Sequence, residues 1–267
     1  MPELDIAFAE ITRFMKITRR RLENLESQEY PPGGIGPFLL LPELRGFWPM
    51  SGMDADYNVQ DMSLNGNLAE NIDGVEFGLT SKFLPYSIFD GGLPGSYFKI
   101  AHSASISDFD ELTFGCFVYM NTVPSNHPDD RGVIGKQGMG VRGWGMSISH
   151  ANTHCGFSEN GSNNFFIHNT GNTLLPNTWY FLVCRISKPN TTMVIDLFIN
   201  GVLVATSDTT AVSIYQNTED VIIGAYPTFS SGDIQTLDGY IALPFVSASA
   251  LPNILISSLY SNIKPLL

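Results

Sequence analysis

From residue 38 to about 247 the chain is a succession of short apolar runs, each closed off by Gly, Asn, Asp, Ser or Pro. This rhythm constrains the fold more than any other feature. Leu112-Thr-Phe-Gly-Cys-Phe-Val-Tyr119, Trp179-Tyr-Phe-Leu-Val-Cys-Arg-Ile186, Met193-Val-Ile-Asp-Leu-Phe-Ile199 and Val202-Leu-Val-Ala205 have the length and the β-branched, aromatic content of strands. Asn200-Gly201 separates the last two, and this dipeptide suits a type I′ hairpin turn, in which both central residues need positive φ. Within this strand Ile195, Leu197 and Ile199 share one face, and Val194, Asp196 and Phe198 the other. One fully apolar face and one mixed face fit a sheet inside an all-β sandwich. A length of 267 residues suits one large all-β domain with an appendage, or two small domains.

The appendage is the N-terminus. Leu4, Phe8, Ile11, Met15, Thr18, Leu22 and Leu25 follow one another at alternating spacings of 4 and 3, a heptad seam. The spacing predicts a helix over residues 1–28 in which Leu4, Phe8, Ile11, Met15, Leu22 and Leu25 join copies of the chain. Phe at a and Ile at d depart from the dimer pattern. Phe14 and Ile17 lie off the seam and keep open an alternative, a helix docked on its own domain. Tyr30-Pro-Pro-Gly-Gly-Ile-Gly-Pro37 ends the helix and marks residues 29–42 as a linker. Residues 43–267 are then the sandwich, with a short C-terminal helix opened by Pro252 and closed by Pro265.

Charge narrows the partners. Lys plus Arg is 14 and Asp plus Glu is 26, a net charge of −12. Nucleic acid is not an expected partner, because phosphate binding needs clustered cations. No apolar run reaches the ~20 residues of a membrane span, and the acidic start lacks a cationic, apolar leader. Cys116, Cys155 and Cys184 lie at long spacings and read as core thiols.

Several patches resemble, in order, the laminin-G-like jelly rolls of the concanavalin A-like lectin/glucanase superfamily. They are Arg45-Gly-Phe-Trp-Pro-Met50, Asp61-Met-Ser-Leu-Asn-Gly-Asn67 with Leu64 where Gly is usual, Phe89-Asp-Gly91, Leu112–Val118, Ile134-Gly-Lys136, Trp144-Gly-Met-Ser-Ile148, Thr178-Trp-Tyr180, Leu197-Phe-Ile-Asn-Gly-Val202 and Leu237-Asp-Gly239. The resemblance implies two antiparallel sheets over roughly residues 45–260, with Trp48, Trp144 and Trp179 packed inward. The overall plan, a helical leader followed by a linker and such a head, is similar to virion proteins of tailed bacteriophages, whose appendages are often trimeric, and this resemblance implies a homotrimer.

Chemistry-bearing motifs are sparse. The alternating carboxylates of the glucanase branch are missing, and Asp108-Phe-Asp-Glu111 has the wrong spacing. His150-x-x-x-His154 has a helical metal-pair spacing but lies in an Asn/Ser-rich β region, so it reads as loop histidines. No cofactor is expected. Calcium is the open case. Asp54-x-Asp56-x-Asn58 fails the EF-hand pattern, whereas Asp61, Asn65 or Asp90 could serve in a site of the kind the resemblance implies; otherwise these side chains cap turns. Asn163, Asn164, Phe165 and Phe166 offer amides and rings to a sugar, or else form a plain hairpin tip. The expected function is a non-enzymatic structural protein of a phage virion (capsid decoration protein, head fibre or tail appendage), assembled in the host cytoplasm. Its partners would be its own copies, other virion proteins and surface glycans. The alternative is a glycan-binding, lectin-like adhesion module.

Overall fold

The computed structural model describes residues 35–51, 54–92, 95–124, 130–138, 141–162, 164–169, 174–227 and 234–267. The heptad positions Leu4, Phe8, Ile11, Met15, Leu22 and Leu25 lie outside them, as does Asn163.

Strands are numbered in chain order. Among the described residues, one sheet orders β13 (Val202–Asp208), β12 (Val194–Ile199), β11 (Trp179–Ser187), β6 (Leu112–Met120), β17 (Asp238–Ser247), β4 (Pro85–Asp90) and β3 (Glu76–Leu79), with β1 (Leu44–Phe47) also on β17. The other orders β10 (Asn164–His168), β9 (Asn152–Ser158), β8 (Val141–Ser149), β7 (Arg131–Gly138), β14 (Val221–Ile223), β5 (Tyr97–Ile100) and β2 (Ala69–Ile72). A small ribbon pairs β15 (Ala225–Pro227) with β16 (Ile234–Thr236). All these pairings are antiparallel. This is the expected all-β jelly-roll sandwich.

The main core lies between the sheets, as the period-2 alternation requires. Ile195, Leu197 and Ile199 point into it, together with Trp48, Trp144, Cys116, Cys155 and Cys184. The three cysteines are buried free thiols, and burial pushes the Cys116 and Cys184 thiols up. Asn200 and Gly201 both have positive φ, at 53° and 77°. Gly201 is needed twice: a Cβ there would also meet Ser257 Cα at 2.9 Å, under the C-terminal helix.

A second core covers the outer face of the first sheet. Phe117, Phe181, Val183, Phe198 and Phe245 point outward from their strands and are fully buried. They are roofed by α1 (Gly36–Leu39) and α2 (Asn253–Ile263). Phe38 stacks on Phe47 at 5.2 Å and meets Phe245 edge-on at 5.4 Å. The stretch expected to be a linker over residues 29–42 is therefore, from Ile35 onward, part of the roof. Phe38, Leu39 and Leu41 form an apolar run that the Pro/Gly punctuation before it masks. Helix α2 follows Pro252 as expected and presents Ile256, Leu259 and Ile263 to the sheet. Arg185 locks the roof to the sheet. It reaches Asp196 at 2.7 Å, donates to Leu251 O and Asn253 Oδ1 at 2.8 Å each, and lies over the Phe198 ring.

The second sheet has no such roof among the described residues. Its outward side chains, including Glu70, Lys99, Ile222, Gln137, Ser147, His154, Phe166 and His168, are half-buried or exposed. We call the two the covered sheet and the open sheet.

Candidate functional site: the open sheet

Register across the open sheet produces a feature that no single strand contains. Lys99 pairs with Ile222, Ile222 with Gly135, Gly135 with Gly145, Gly145 with Gly156 and Gly156 with Phe166. Three adjacent strands thus present glycine at the same level on the outer face. The row from Ile222 to Phe166 spans four strand spacings, about 19 Å at ~4.8 Å each. Glycine inside a strand weakens packing and marks a place where another molecule can approach the backbone. Of the three, Gly145 reaches solvent, and Gly135 and Gly156 are buried. A Cβ there would meet the Gln137 amide nitrogen at 3.2 Å, so the flexible Gln137 side chain stands over the floor. Gly156 is closed in by backbone, since a Cβ would lie 1.9 Å from Phe165 O.

Phe166 ends the row, 51% exposed on the edge strand. Phe165 points the other way, is packed against the main core and stacks on Phe157 at 5.6 Å. Only one of the two expected sugar-facing rings is therefore available, because adjacent strand residues face opposite sides. Asn164 shares the outer face with Phe166. With its amide oxygen turned towards Arg142, it accepts from the guanidinium at 2.8 and 3.2 Å.

On the other flank Ser147 pairs with His154, and His154 with His168. The two imidazoles stack at 5.4 Å with 21° between planes. Burial, then the neighbouring His168, holds His154 below the usual histidine range, against an opposing pull from Asp130. The loop reading holds for His150, which is exposed on a turn, and needs correction for His154. His150 sits at positive φ on the hairpin turn, and His154 lies within β9 and takes its partner across the strands instead of along the chain.

The calcium candidates are committed to turns. Asp61 accepts from Phe47 N, Ser63 N, Ser63 Oγ and Asn67 N at 2.8–3.0 Å. Burial raises its carboxyl while these donors oppose the rise. Asn65 donates its amide to Leu44 O and Arg45 O. Asp90 accepts from Gly92 N and Ser96 N. Asp54 caps its own loop through Asp56 N and Asn58 N. Among the described residues no group of three or more His, Cys, Asp or Glu is arranged to hold a metal ion. Leu64 has φ +74°, which explains why glycine is usual there in the jelly rolls this turn resembles.

Trp48 and Trp144 are buried inward as expected, but Trp179 is a correction. It lies half-buried on the outer face of the covered sheet, beside Tyr119 at 5.5 Å. There Tyr86, Tyr240 and Tyr119 stack at 4.8 and 4.9 Å, and the Tyr86 ring also lies over Gly78. These ring faces are spent on one another and offer little to a ligand.

The glycine row and the histidine pair were absent from the sequence expectations. The available cue was three strands with glycine at an outward position: Ile134-Gly-Lys136, Trp144-Gly-Met146 and Cys155-Gly-Phe157. Their alignment depends on register, which no single segment states.

Comparison with known proteins agrees with this architecture. The binding domain of Paraclostridial Mosquitocidal Protein 1 superposes with a TM-score of 0.63 at 14% identity, over 82% of this chain and 52% of that one. The binding domain of Botulinum Neurotoxin DC in complex with SialylT gives 0.61 at 14%, over 83% and 52%. The same domain in complex with rat synaptotagmin II gives 0.62 at 14%, over 83% and 52%. The chain thus spans about half the length of these structures, and the likeness is one of fold. No curated protein matches the chain. The Laminin_G_3 family model, described as Concanavalin A-like lectin/glucanases superfamily, matches residues 90–252, from the end of β4 to the start of α2. With more than half of its length matched, the chain belongs to the Laminin_G_3 family of that superfamily.

Proposed function

We propose that this chain is a non-enzymatic, glycan-binding adhesion module carried on a phage virion, with the open sheet as its ligand face. The observation that carries the reading is the glycine row ending at Phe166. A pyranose has an apolar C–H face and a rim of hydroxyls. A bare backbone floor lets such a ring approach, Phe166 supplies an aromatic surface, and Gln137, Asn164 and Ser147 supply polar partners. The use of this fold in binding domains supports the same reading. A glycan array probed with the protein, with Phe166→Ala and with Gly145→Leu tests it. Reproducible binding by the parent and loss in both variants is the expected result. No binding by the parent, or undiminished binding by both variants, contradicts it.

The virion setting rests on different features. Three buried free thiols and no disulfide among the described residues suit assembly in a reducing cytoplasm. The acidic head suits solubility at high copy number. The chain enters the described structure at Ile35, on the roof of the covered sheet. A tether there leaves the open sheet facing away. The seam Leu4, Phe8, Ile11, Met15, Leu22 and Leu25 would join three copies. Ile11→Asp together with Leu22→Asp in the full chain should give a monomer by light scattering, and an unchanged oligomer would refute the seam.

A further inference from the structure

The histidine pair has no role yet in the glycan reading, although it borders the floor directly. His154 lies two residues from Gly156 and His168 two residues from Phe166, on the same outward face. We infer that the open face takes carboxylate-bearing sugars, and that the stacked His154–His168 pair is the proton-controlled element that holds the carboxylate. This rests on the glycan reading and narrows its ligand class.

Residues 31–267 hold 9 Lys/Arg and 20 Asp/Glu, or −11, so the module repels an anionic sugar at long range. Local cations must offset that repulsion. One flank already carries Arg142, bonded to Asn164. The other is the imidazole pair. With the rings stacked at 5.4 Å, the neighbouring His168 disfavours a proton on His154 unless an anion is laid beside them. The groups bearing on His154 are His168 on β10, His150 on the β8–β9 turn, Asp130 ahead of β7 and the Ser149 backbone; Ser147 on β8 faces it across the strand pair. Desolvation and the two histidines disfavour its protonation, while Asp130 favours it. A sugar carboxylate laid beside the rings adds a second anion and tips the pair towards the charged form. Sugar and proton therefore bind together, and affinity rises as pH falls through the histidine range.

The test uses uronic-acid oligosaccharides and their methyl esters as matched probes, on an array that also carries neutral glycans, at about pH 5.5 and 7.5. Calorimetry on any hit, in two buffers of different ionisation heat, counts protons taken up. The acids should bind roughly tenfold tighter at the lower pH, with uptake of about one proton. Both effects should vanish in His154→Gln/His168→Gln. Acids that bind equally at both pH values, or a pH dependence that survives the double substitution, overturn the inference. Binding of neutral sugars or esters alone removes the acidic ligand class and leaves the glycan reading standing. Silence of the whole array at both pH values removes that reading as well.

Discussion

The two outer faces of this sandwich are built from similar strands and end in opposite states. On the covered sheet Phe117, Phe181, Val183, Phe198 and Phe245 point outward under a roof of two short helical segments, with the half-buried Trp179, Tyr86, Tyr119 and Tyr240 on the same face. On the open sheet the corresponding positions are three glycines, an isoleucine, a phenylalanine and polar side chains. Large apolar side chains left in water would favour aggregation, so the first face recruits a roof from both ends of the chain. The second has no such roof among the described residues, where Gly145 and half-exposed polar side chains reach solvent and Gly135 and Gly156 are buried. One face therefore contributes stability through its buried outer layer, while the other carries no comparable layer among the described residues.

The largest expected effect breaks the covered face. Phe38→Ala removes a ring stacked on Phe47 and set edge-on to Phe245. It should cost about 3–5 kcal/mol in denaturant unfolding. A loss below about 1 kcal/mol would mean that the roof is not part of the core. Gly145→Leu sharpens the contrast. A Cβ there would meet the movable end of Gln137 at 3.2 Å, Gly135 Cα at 3.3 Å and Ile134 O at 3.5 Å. Stability should change by less than about 1 kcal/mol while glycan binding is lost. Near the corner where the sheets meet, Leu64→Gly should stabilise by about 1 kcal/mol, since it relieves φ +74°. A lower denaturation midpoint would show that the Leu64 side chain matters more than its backbone.

Two titratable side chains on strands of the open sheet, Lys136 and His154, make stability depend on pH. Burial pushes Lys136, which bonds Glu219 O and His102 Nδ1, down to about 8 from 10.5. Between those values the unfolded chain holds the proton and the folded chain does not. Stability should therefore rise as pH climbs from about 8 towards 10.5, and Lys136→Met should abolish that slope. His154 lies below its ordinary 6.5, so folded protein should lose stability as pH falls through that value. His154→Gln should remove part of this smaller loss, as read from midpoints at about pH 5.5 and 7.5.

Much of the framework was legible in the sequence. Asn200-Gly201 predicted its hairpin, the alternation in Val194–Ile199 assigned the inward side chains, and Pro252 announced the last helix. These are local properties, set by φ preference and strand period. Three features were not legible for a shared reason. The packing of Phe38–Leu41 depends on a sheet face assembled from distant strands. Trp179 faces outward because of the phase of β11, which apolar content on both sides conceals. The glycine row and the His154–His168 pair exist only once three or more strands are in register. Of the sugar-binding residues read from sequence, Phe166 and Asn164 lie on the open face and Phe165 does not.

The central claim is that ligand contact belongs to the open face alone. Backbone amide shifts of the labelled protein, followed while a glycan identified on the array is added, test it most directly. Shifts clustered at Gly135, Gly145, Gly156, Phe166 and His168, with the amides of Phe117, Phe181 and Phe245 unmoved, are the predicted result. Shifts centred on the covered sheet, or on the Tyr86–Tyr240–Tyr119 stack, would contradict it.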